Sequence, residues 1–318
     1  MLLLSPNPRL SKICILKLMA TNTPFKKAVN PKCPNCPKDS FPIEYLNSIN
    51  NFGLYLCEGC KTGFTYPIPK NMARYYHEFY WTTPGVFGRI KDAIFKFFQR
   101  RRIMWITTFL KKGNVLDVGA GEGNFINNLP DIFKGVGIDA SIAKIKNSNI
   151  KRVDFLKWQT KEKFDAIVFW ESLEHTTSPE KYLKKAFTLL KNKGLVFIEY
   201  PRFNSLESKI FGKHWFHLDI PRHSSHLTDK GLSIILNRVG FKPKSYISVA
   251  AFEYTLWGFS ASFLSIFKIK PTDELKKLQN LMIIFSLIPL GIVALIFEVI
   301  FLPFKESPIG LVIASKKI

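Results

Sequence analysis

The apolar positions in the middle of the chain come in short runs, separated by glycine-rich or helical stretches. Residues 115–118 form one such run, which breaks into alternating glycines and is followed by a helical pattern. Gly135–Asp139 forms the next run and ends on an acidic residue. A strand, a glycine loop, a helix and a second strand in this order predict an α/β fold with a ligand loop after the first strand.

A helix is predicted upstream of this unit, because residues 89–112 carry apolar groups at helical spacing. We expect this helix to cover the cleft beside the glycine loop. Three arginines lie in its middle, Arg100, Arg101 and Arg102. A run of cations in a helix is more often a solvated face than a phosphate clamp, and we expect a solvated face here.

The glycine loop predicts which cofactor binds. Its three glycines are Gly119, Gly121 and Gly123. They allow a tight turn and a close approach of the backbone to a ligand. Asp139 follows Asp117 by 22 residues, where a carboxylate can accept hydrogen bonds from both ribose hydroxyls. A dinucleotide-binding loop would have a glycine at position 124, where this chain has Asn124. The carboxylate of Asp117 also suits an amino group or a sulfonium better than a pyrophosphate. S-adenosylmethionine is therefore favoured over NAD.

With these motifs the sequence resembles the class I methyltransferases. The resemblance runs from about residue 113 to 245 and includes Phe164–Phe169, Trp170–His175, Leu189–Gly194 and Leu195–Pro201. It implies a doubly wound, seven-stranded Rossmann-like sheet, with residues 241–248 as the sixth strand and 311–317 as its antiparallel neighbour. It also implies cofactor-binding roles, which fall on Asp117, Gly119, Gly121, Gly123, Asp139, Asp154 and Trp170.

Two C-x-x-C pairs, 20 residues apart, predict a zinc ribbon before the core, with ligands Cys33, Cys36, Cys57 and Cys60. Four thiolates leave no open position for water, so the metal is expected to be structural. Two disulfides are the alternative, and Cys14 lies outside the pattern. The arrangement is similar to zinc-carrying methyltransferases of sugar and polysaccharide biosynthesis. Tyr75, Tyr76 and Tyr80, between ribbon and core, either border the cofactor or pack between the two.

A polar stretch after the fifth predicted strand is the expected substrate lid. It holds four histidines and an aspartate within 13 residues, which are His214, His217, Asp219, His223 and His226. They are candidates for a metal cluster, but we favour hydrogen bonding and proton transfer. His223 aligns with the catalytic base of related sugar C-methyltransferases, although Ile220 replaces a tyrosine of that family. His175 is the second candidate base.

Two apolar runs near the C-terminus predict membrane association. Residues 281–304 form a run of 24 residues with a single charge, Glu298, and residues 249–267 precede it. If residues 241–248 and 311–317 are neighbouring antiparallel strands, a single crossing is excluded, and Pro289 favours a helix that enters one leaflet. A two-helix hairpin and a soluble helical subdomain are the alternatives. The net charge of +22 suits an anionic membrane surface as well as nucleic acid.

The sequence thus predicts a methyltransferase at the cytoplasmic face of the membrane, acting on a lipid-linked sugar, a polysaccharide intermediate or another lipophilic acceptor. An RNA methyltransferase and an inactive membrane adaptor are the alternatives, and the apolar run argues against nucleic acid. Met1 or Met19 is the start. The expected parts are an unstructured segment (1–30), the ribbon (31–70), an aromatic linker and cap helix (71–112), the core (113–248) with its lid (202–230), an apolar helical insertion (249–305) and a last core strand (306–318).

Overall fold

The computed structural model describes residues 31–36, 41–49, 51–75, 99–141, 149–249, 252–268, 289, 291–297, 299–300, 304 and 306–317. The expectations for residues 1–30, for Tyr76 and Tyr80 and for most of the apolar run 281–304 lie outside these residues. The strands are β1 (Ile43–Ile49), β2 (Phe52–Cys57), β3 (Gly63–Tyr66), β4 (Gly113–Val118), β5 (Phe133–Asp139), β6 (Ile150–Arg152), β7 (Phe164–Trp170), β8 (Leu190–Pro201), β9 (Ser225–His226), β10 (Phe241–Val249) and β11 (Ile309–Lys316). The helices are α1 (described over 99–109), α2 (Pro179–Leu189), α3 (Leu206–Phe211), α4 (Asp229–Val239) and α5 (Phe252–Ile266), and a further helical segment is described over 291–297 and 299–300.

A seven-stranded mixed sheet forms the core, with strand order β10-β11-β8-β7-β4-β5-β6. The strands from β8 to β6 run parallel, whereas β11 is antiparallel to both of its neighbours. The central strands are buried on both faces, which is why β7 is an almost unbroken apolar run. The predicted Rossmann-like fold with its antiparallel last strand is confirmed.

Helices cover both faces of this sheet. On one face Leu183 of α2 and Leu232 of α4 are fully buried in the core, and on the other face Ile106 of α1 is fully buried. The ends of α4 follow from its sequence. The Thr228 side chain accepts a hydrogen bond from the Gly231 amide at the first turn, and Gly240 ends the helix with φ of 103°.

A second sheet has the strand order β1-β2-β3-β9 and joins the ribbon to the lid. The strand β9 belongs to the lid, and in it His226 lies opposite Gly63 and Ser225 lies opposite Phe64. A Cβ atom on Gly63 would lie 2.9 Å from the Cβ of His226, so glycine allows this close pairing. The ribbon is therefore one wall of the lid.

The helical insertion between β10 and β11 leaves and returns at one edge of the core sheet, because Val249 pairs with Ile309. Its described helices pack against lid and ribbon in one apolar cluster, which includes Leu54, Trp215, Phe259 and Ala294. Within the part of the chain that the structure describes, no helix combines the length and apolar character needed to cross a membrane.

Candidate cofactor and acceptor sites

The glycine loop turns sharply at the carboxyl end of β4, at the position where a doubly wound sheet binds its ligand. Gly119, Gly121 and Gly123 have φ of 85°, 56° and 88°, in the left-handed region that favours glycine. The amide of Gly119 donates to the carbonyl of Ile138 at 2.8 Å. A side chain at Gly119 would also come within 2.3 Å of the Ser172 Cβ. The loop therefore lies against the turn that follows β7.

Asp117 lies at the end of β4 and is 2% exposed. Its Oδ1 atom has no hydrogen-bond partner among the described residues. Burial raises the pKa of Asp117 to about 7, while Arg102 lowers it and Asp139 raises it. A buried carboxylate oxygen without a partner fits the amino group of the methionine part of S-adenosylmethionine, as the sequence predicts.

Asp139 ends β5 next to the glycine loop. Its Oδ2 accepts a hydrogen bond from the Gly121 amide at 2.6 Å, and its Oδ1 accepts one from the Ser141 amide at 2.7 Å. Each carboxylate oxygen has a second lone pair, so both can still accept a ribose hydroxyl. The structure thus brings Asp117, the glycines and Asp139 together at one edge of the sheet.

The two remaining predicted cofactor residues, Asp154 and Trp170, each have a contact with a neighbouring residue. Asp154 follows β6, the neighbour of β5, and its Oδ1 accepts a hydrogen bond from the Leu156 amide at 2.8 Å. Trp170 ends β7, and its ring lies 5.4 Å from that of Phe125, which follows the glycine loop. The Arg102 guanidinium lies 5.3 Å from the centre of the Trp170 ring. Trp170 thus lies beside the predicted cofactor loop, and Asp154 follows the strand next to the one that ends at Asp139.

The expected solvated arginine face is wrong for two of the three arginines. Glu199, on β8, is fully buried and accepts hydrogen bonds from Arg101 at 3.0 Å and from Arg102 at 3.1 Å. Only Arg100 is exposed. Glu199 is the single charge in the buried run Leu195–Tyr200, and a buried charge must be paired. This ion pair fixes α1 against the sheet, beside Asp117.

The two predicted bases meet at the acceptor side, with the rings of His175 and His223 4.6 Å apart. Nδ1 of His175 lies 3.1 Å from the Arg222 carbonyl, and Nδ1 of His223 lies 2.8 Å from the His217 carbonyl. Burial lowers the pKa of both imidazoles to about 3. Both are therefore uncharged at neutral pH, able to accept a proton or to bind a metal ion.

The other lid residues have separate partners. Nε2 of His226 lies 2.9 Å from the Thr65 hydroxyl, and Nδ1 of His214 lies 3.1 Å from the Ser265 hydroxyl. Asp219 accepts a hydrogen bond from Arg222 at 2.7 Å. Among the described residues, the lid group that reaches metal-binding spacing contains His223 with Glu174 and His175. The five lid residues therefore do not form one metal cluster.

The four ribbon cysteines converge as predicted. The Sγ atoms of Cys33 and Cys60 lie 3.5 Å apart, those of Cys36 and Cys57 lie 3.6 Å apart, and all four lie within 4.8 Å of one another. A disulfide needs about 2.05 Å. Tetrahedral Zn²⁺ with Zn–S bonds of about 2.3 Å places its sulfurs about 3.8 Å apart. Burial and then the neighbouring thiols raise the pKa of Cys36 to about 12.

Two side chains beside the site pack on the ribbon or the lid. Tyr75 is exposed, and its ring lies 6.0 Å from that of Phe52 on β2. This contact favours the packing role for Tyr75. Ile220, which replaces the tyrosine of the C-methylating family, lies against the apolar cluster that contains Leu54 and Trp215.

Sequence reasoning missed two buried acids, Glu174 and Glu199. Glu174 is 2% exposed and belongs, with the two predicted bases, to the metal-spaced group. A sequence signal for it exists, since Glu171-x-x-Glu174-His175 follows β7 directly. Glu199 could have been found as the only charge in the run Leu195–Tyr200.

Comparisons with known proteins agree with this geometry. A family model described as a methyltransferase domain matches residues 87–246, half of the chain. No curated protein matches the sequence.

Several solved structures are similar at low identity. A methyltransferase from Archaeoglobus fulgidus shares 20% identity with a TM-score of 0.46, over 71% of this chain and 94% of that one. A possible histamine N-methyltransferase from Thermotoga maritima shares 14% with a TM-score of 0.42, over 72% and 96%. A phosphoethanolamine N-methyltransferase from Haemonchus contortus, in complex with S-adenosyl-L-methionine, shares 16% with a TM-score of 0.43, over 65% and 49%. We infer nothing about the substrate from these likenesses.

The matched residues contain the glycine loop, Asp117, Asp139 and the predicted bases, and the strand order is that of the predicted fold. The chain belongs to the methyltransferase-domain family and is an S-adenosylmethionine-dependent methyltransferase.

Proposed function

We propose that this enzyme methylates a lipid-linked sugar, a polysaccharide intermediate or another lipophilic acceptor at the cytoplasmic membrane surface. The observation that carries the proposal is an exposed apolar surface on the helical insertion. It contains Phe267, Ile292, Val293, Ile296, Val299, Ile300 and Phe304, each more than half exposed. Five of these residues lie within 292–300, and an exposed apolar patch marks a surface that binds a protein or a membrane.

The position of this surface connects it to the lid. Ala294, on the same helical segment, is fully buried in the cluster with Trp215 of the lid. One side of the segment thus packs on the acceptor side of the enzyme while the other side presents apolar groups. The net charge of +22 adds attraction to an anionic lipid surface. A lipophilic acceptor would reach the lid from the bilayer without crossing water.

The chemistry follows from what each side of the site holds. S-adenosylmethionine supplies an activated methyl group when it is bound. Asp117 would bind its amino group, and Asp139 its ribose. His223 and His175 lie on the acceptor side as neutral imidazoles and would handle the acceptor proton. Alignment of the nucleophile with the methyl carbon accounts for much of the rate, so few side chains need take part in bond making.

The ribbon has a structural role in this proposal, with Zn²⁺ held by Cys33, Cys36, Cys57 and Cys60. Its strand β3 pairs with β9 of the lid, and the Thr65 hydroxyl donates to the His223 carbonyl at 2.9 Å. The metal would therefore fix the wall on which His223 sits. A structural role of this kind explains the ribbon without nucleic-acid binding.

The test is to incubate the full-length protein with methyl-labelled S-adenosylmethionine and an extract of host membranes and nucleic acid, and then to partition the label. We expect label in the lipid or lipid-glycan fraction. A matched variant, Ile296→Glu with Val299→Glu, should reduce labelling of membranes while leaving cofactor binding unchanged. Label in RNA would refute the membrane proposal and make the basic charge the relevant feature. Absence of cofactor binding would support an inactive adaptor.

A further inference from the structure

A buried carboxyl group without a partner lies at the centre of the acceptor side. Glu174 is 2% exposed, and neither of its side-chain oxygens has a hydrogen-bond partner on another described residue. It lines a narrow cavity together with His223, His217 and Trp215. A buried acceptor group of this kind costs on the order of 1–3 kcal/mol when it is unpaired. Its position therefore calls for a ligand.

The imidazole rings of His175 and His223 lie 4.6 Å apart, and each has one nitrogen lone pair. A carbonyl oxygen can only accept a hydrogen bond, so Nδ1 of His175 and Nδ1 of His223 each carry a proton that they donate to a backbone carbonyl. In a neutral imidazole the lone pair is then on Nε2. A backbone carbonyl that binds Nδ1–H is the usual support of a metal-ligating histidine, because it fixes both the tautomer and the ring orientation.

The spacing of these groups suits one ion. One donor atom from each of Glu174, His175 and His223 lies within 4.8 Å of the others. Metal bonds of about 2.1 Å to nitrogen and oxygen place ligand atoms about 3–4 Å apart, so small side-chain rotations complete the site. The neighbouring cation, Arg222, is paired with Oδ1 of Asp219 at 2.7 Å, and Oδ2 of the same carboxylate lies 3.8 Å from Nε2 of His223. Two imidazoles and one carboxylate leave open coordination positions.

We propose that Glu174, His175 and His223 bind one divalent transition-metal ion, Mn²⁺, Fe²⁺, Co²⁺ or Zn²⁺, whose open position takes the acceptor through an oxygen atom. This site is separate from the four-cysteine site of the ribbon. The role of the ion in methyl transfer rests on the proposed function, whereas its binding does not. It also changes the expected role of the two histidines, which act as ligands in place of a direct base.

The reaction balances without an oxidant. The metal-bound acceptor hydroxyl loses its proton to solvent, because a bound cation lowers the pKa of an oxygen ligand. The oxygen lone pair then forms the O–C bond to the methyl group, and the C–S bonding pair passes to sulfur. The products are the methyl ether, neutral S-adenosylhomocysteine and one proton.

The experiment is a Mn²⁺ titration of the zinc-loaded, full-length protein, followed by electron paramagnetic resonance of the free ion. Mn²⁺ prefers carboxylate ligands to thiolates, so it reports on this site and not on the ribbon. We expect one Mn²⁺ per chain. Glu174→Gln and His223→Gln should each weaken its binding by about 100-fold. Glu207→Gln and His226→Gln are the matched controls, because they change a buried carboxyl group and a buried lid imidazole outside the cluster.

A thermal melt keeps the test decisive if a histidine variant fails to fold. Glu174→Gln removes a buried carboxyl group and keeps its shape, so it should fold, and Mn²⁺ should raise the Tm of the wild type and not that of this variant. Equal Mn²⁺ binding by Glu174→Gln and Glu207→Gln, or no bound Mn²⁺ in the wild type, would overturn the proposal. Calorimetric binding of S-adenosylmethionine in the same samples separates this outcome from failure of the methyltransferase function.

Discussion

The cofactor side and the acceptor side of this enzyme are built in different ways. The cofactor side is local, since Asp117, the glycine loop and Asp139 lie within 23 consecutive residues. The acceptor side joins residues far apart in sequence, as in the bond from the Thr65 hydroxyl to His223, 158 positions away, or from Arg238 to the Asn35 carbonyl, 203 positions away. A short motif can therefore predict the first, whereas the second depends on how the ribbon, the lid and the helical insertion meet.

The largest expected effect is on the cofactor side. Gly121→Asp places a carboxylate at a φ of 56° beside Asp139, which holds the Gly121 amide. Strain and like-charge repulsion should weaken binding of S-adenosylmethionine by about 100-fold or more, measured by calorimetry. Zinc content should stay at the wild-type level, because the four cysteines form a separate cluster that does not include Gly121. Retained cofactor affinity would mean that the cofactor binds elsewhere.

A second prediction concerns pH. Burial raises the pKa of Asp117 to about 7, above its ordinary value of 3.8, so without cofactor its protonated form is favoured in the folded protein. Stability from this group is complete below pH 3.8 and is lost as the pH rises through 7. At pH 8.5 the free energy of unfolding of Asp117→Asn should therefore exceed that of the wild type by up to about 4 kcal/mol, measured by urea titration.

The same carboxyl group should control cofactor affinity in the opposite sense. Binding needs the ionised form, so the affinity of the wild type for S-adenosylmethionine should fall as the pH drops below 7. The Asn variant should bind weakly at every pH. Asp131→Asn, at an exposed carboxyl group, is the control and should follow the wild type in both measurements. If Asp117→Asn and the wild type have parallel pH profiles, Asp117 does not face the cofactor.

The smallest expected effect is on the acceptor side. Thr65→Val removes the hydroxyl that donates to the His223 carbonyl and contacts His226, while keeping the shape of the side chain. Loss of about 1 kcal/mol of support for the lid should reduce methyl transfer about fivefold, with unchanged cofactor affinity. Thr108→Val, at an exposed threonine of α1, should change neither quantity. Equal losses in transfer and in cofactor affinity would mean that the two sides are not separate.

The sequence predicts the sheet and the cofactor loop well because both depend on local patterns. Buried parallel strands need continuous apolar runs, and the left-handed turn needs glycine at 119, 121 and 123. The cysteine spacing likewise predicts the ribbon. The pairing of Arg101 and Arg102 with Glu199 is not predictable in this way, because it joins a helix to a strand almost 100 positions later. The pairing of β9 with the ribbon depends on only two residues and has no periodicity to detect.

The most direct test of the ribbon's role compares Cys57→Ser with Cys14→Ser. Each variant is assayed for zinc content, for calorimetric binding of S-adenosylmethionine and for methyl transfer to a membrane extract. Cys57 is a fully buried member of the four-cysteine cluster, whereas Cys14 lies outside the C-x-x-C pattern of the sequence. We predict that Cys57→Ser loses zinc and at least about 90% of methyl transfer, a tenfold change that corresponds to about 1.4 kcal/mol. Its affinity for the cofactor should stay within about threefold of the wild type. Cys14→Ser should match the wild type throughout. Full transfer by a zinc-free Cys57→Ser protein, or cofactor affinity that falls together with transfer, would contradict the claim that the ribbon supports the acceptor side and not the cofactor side.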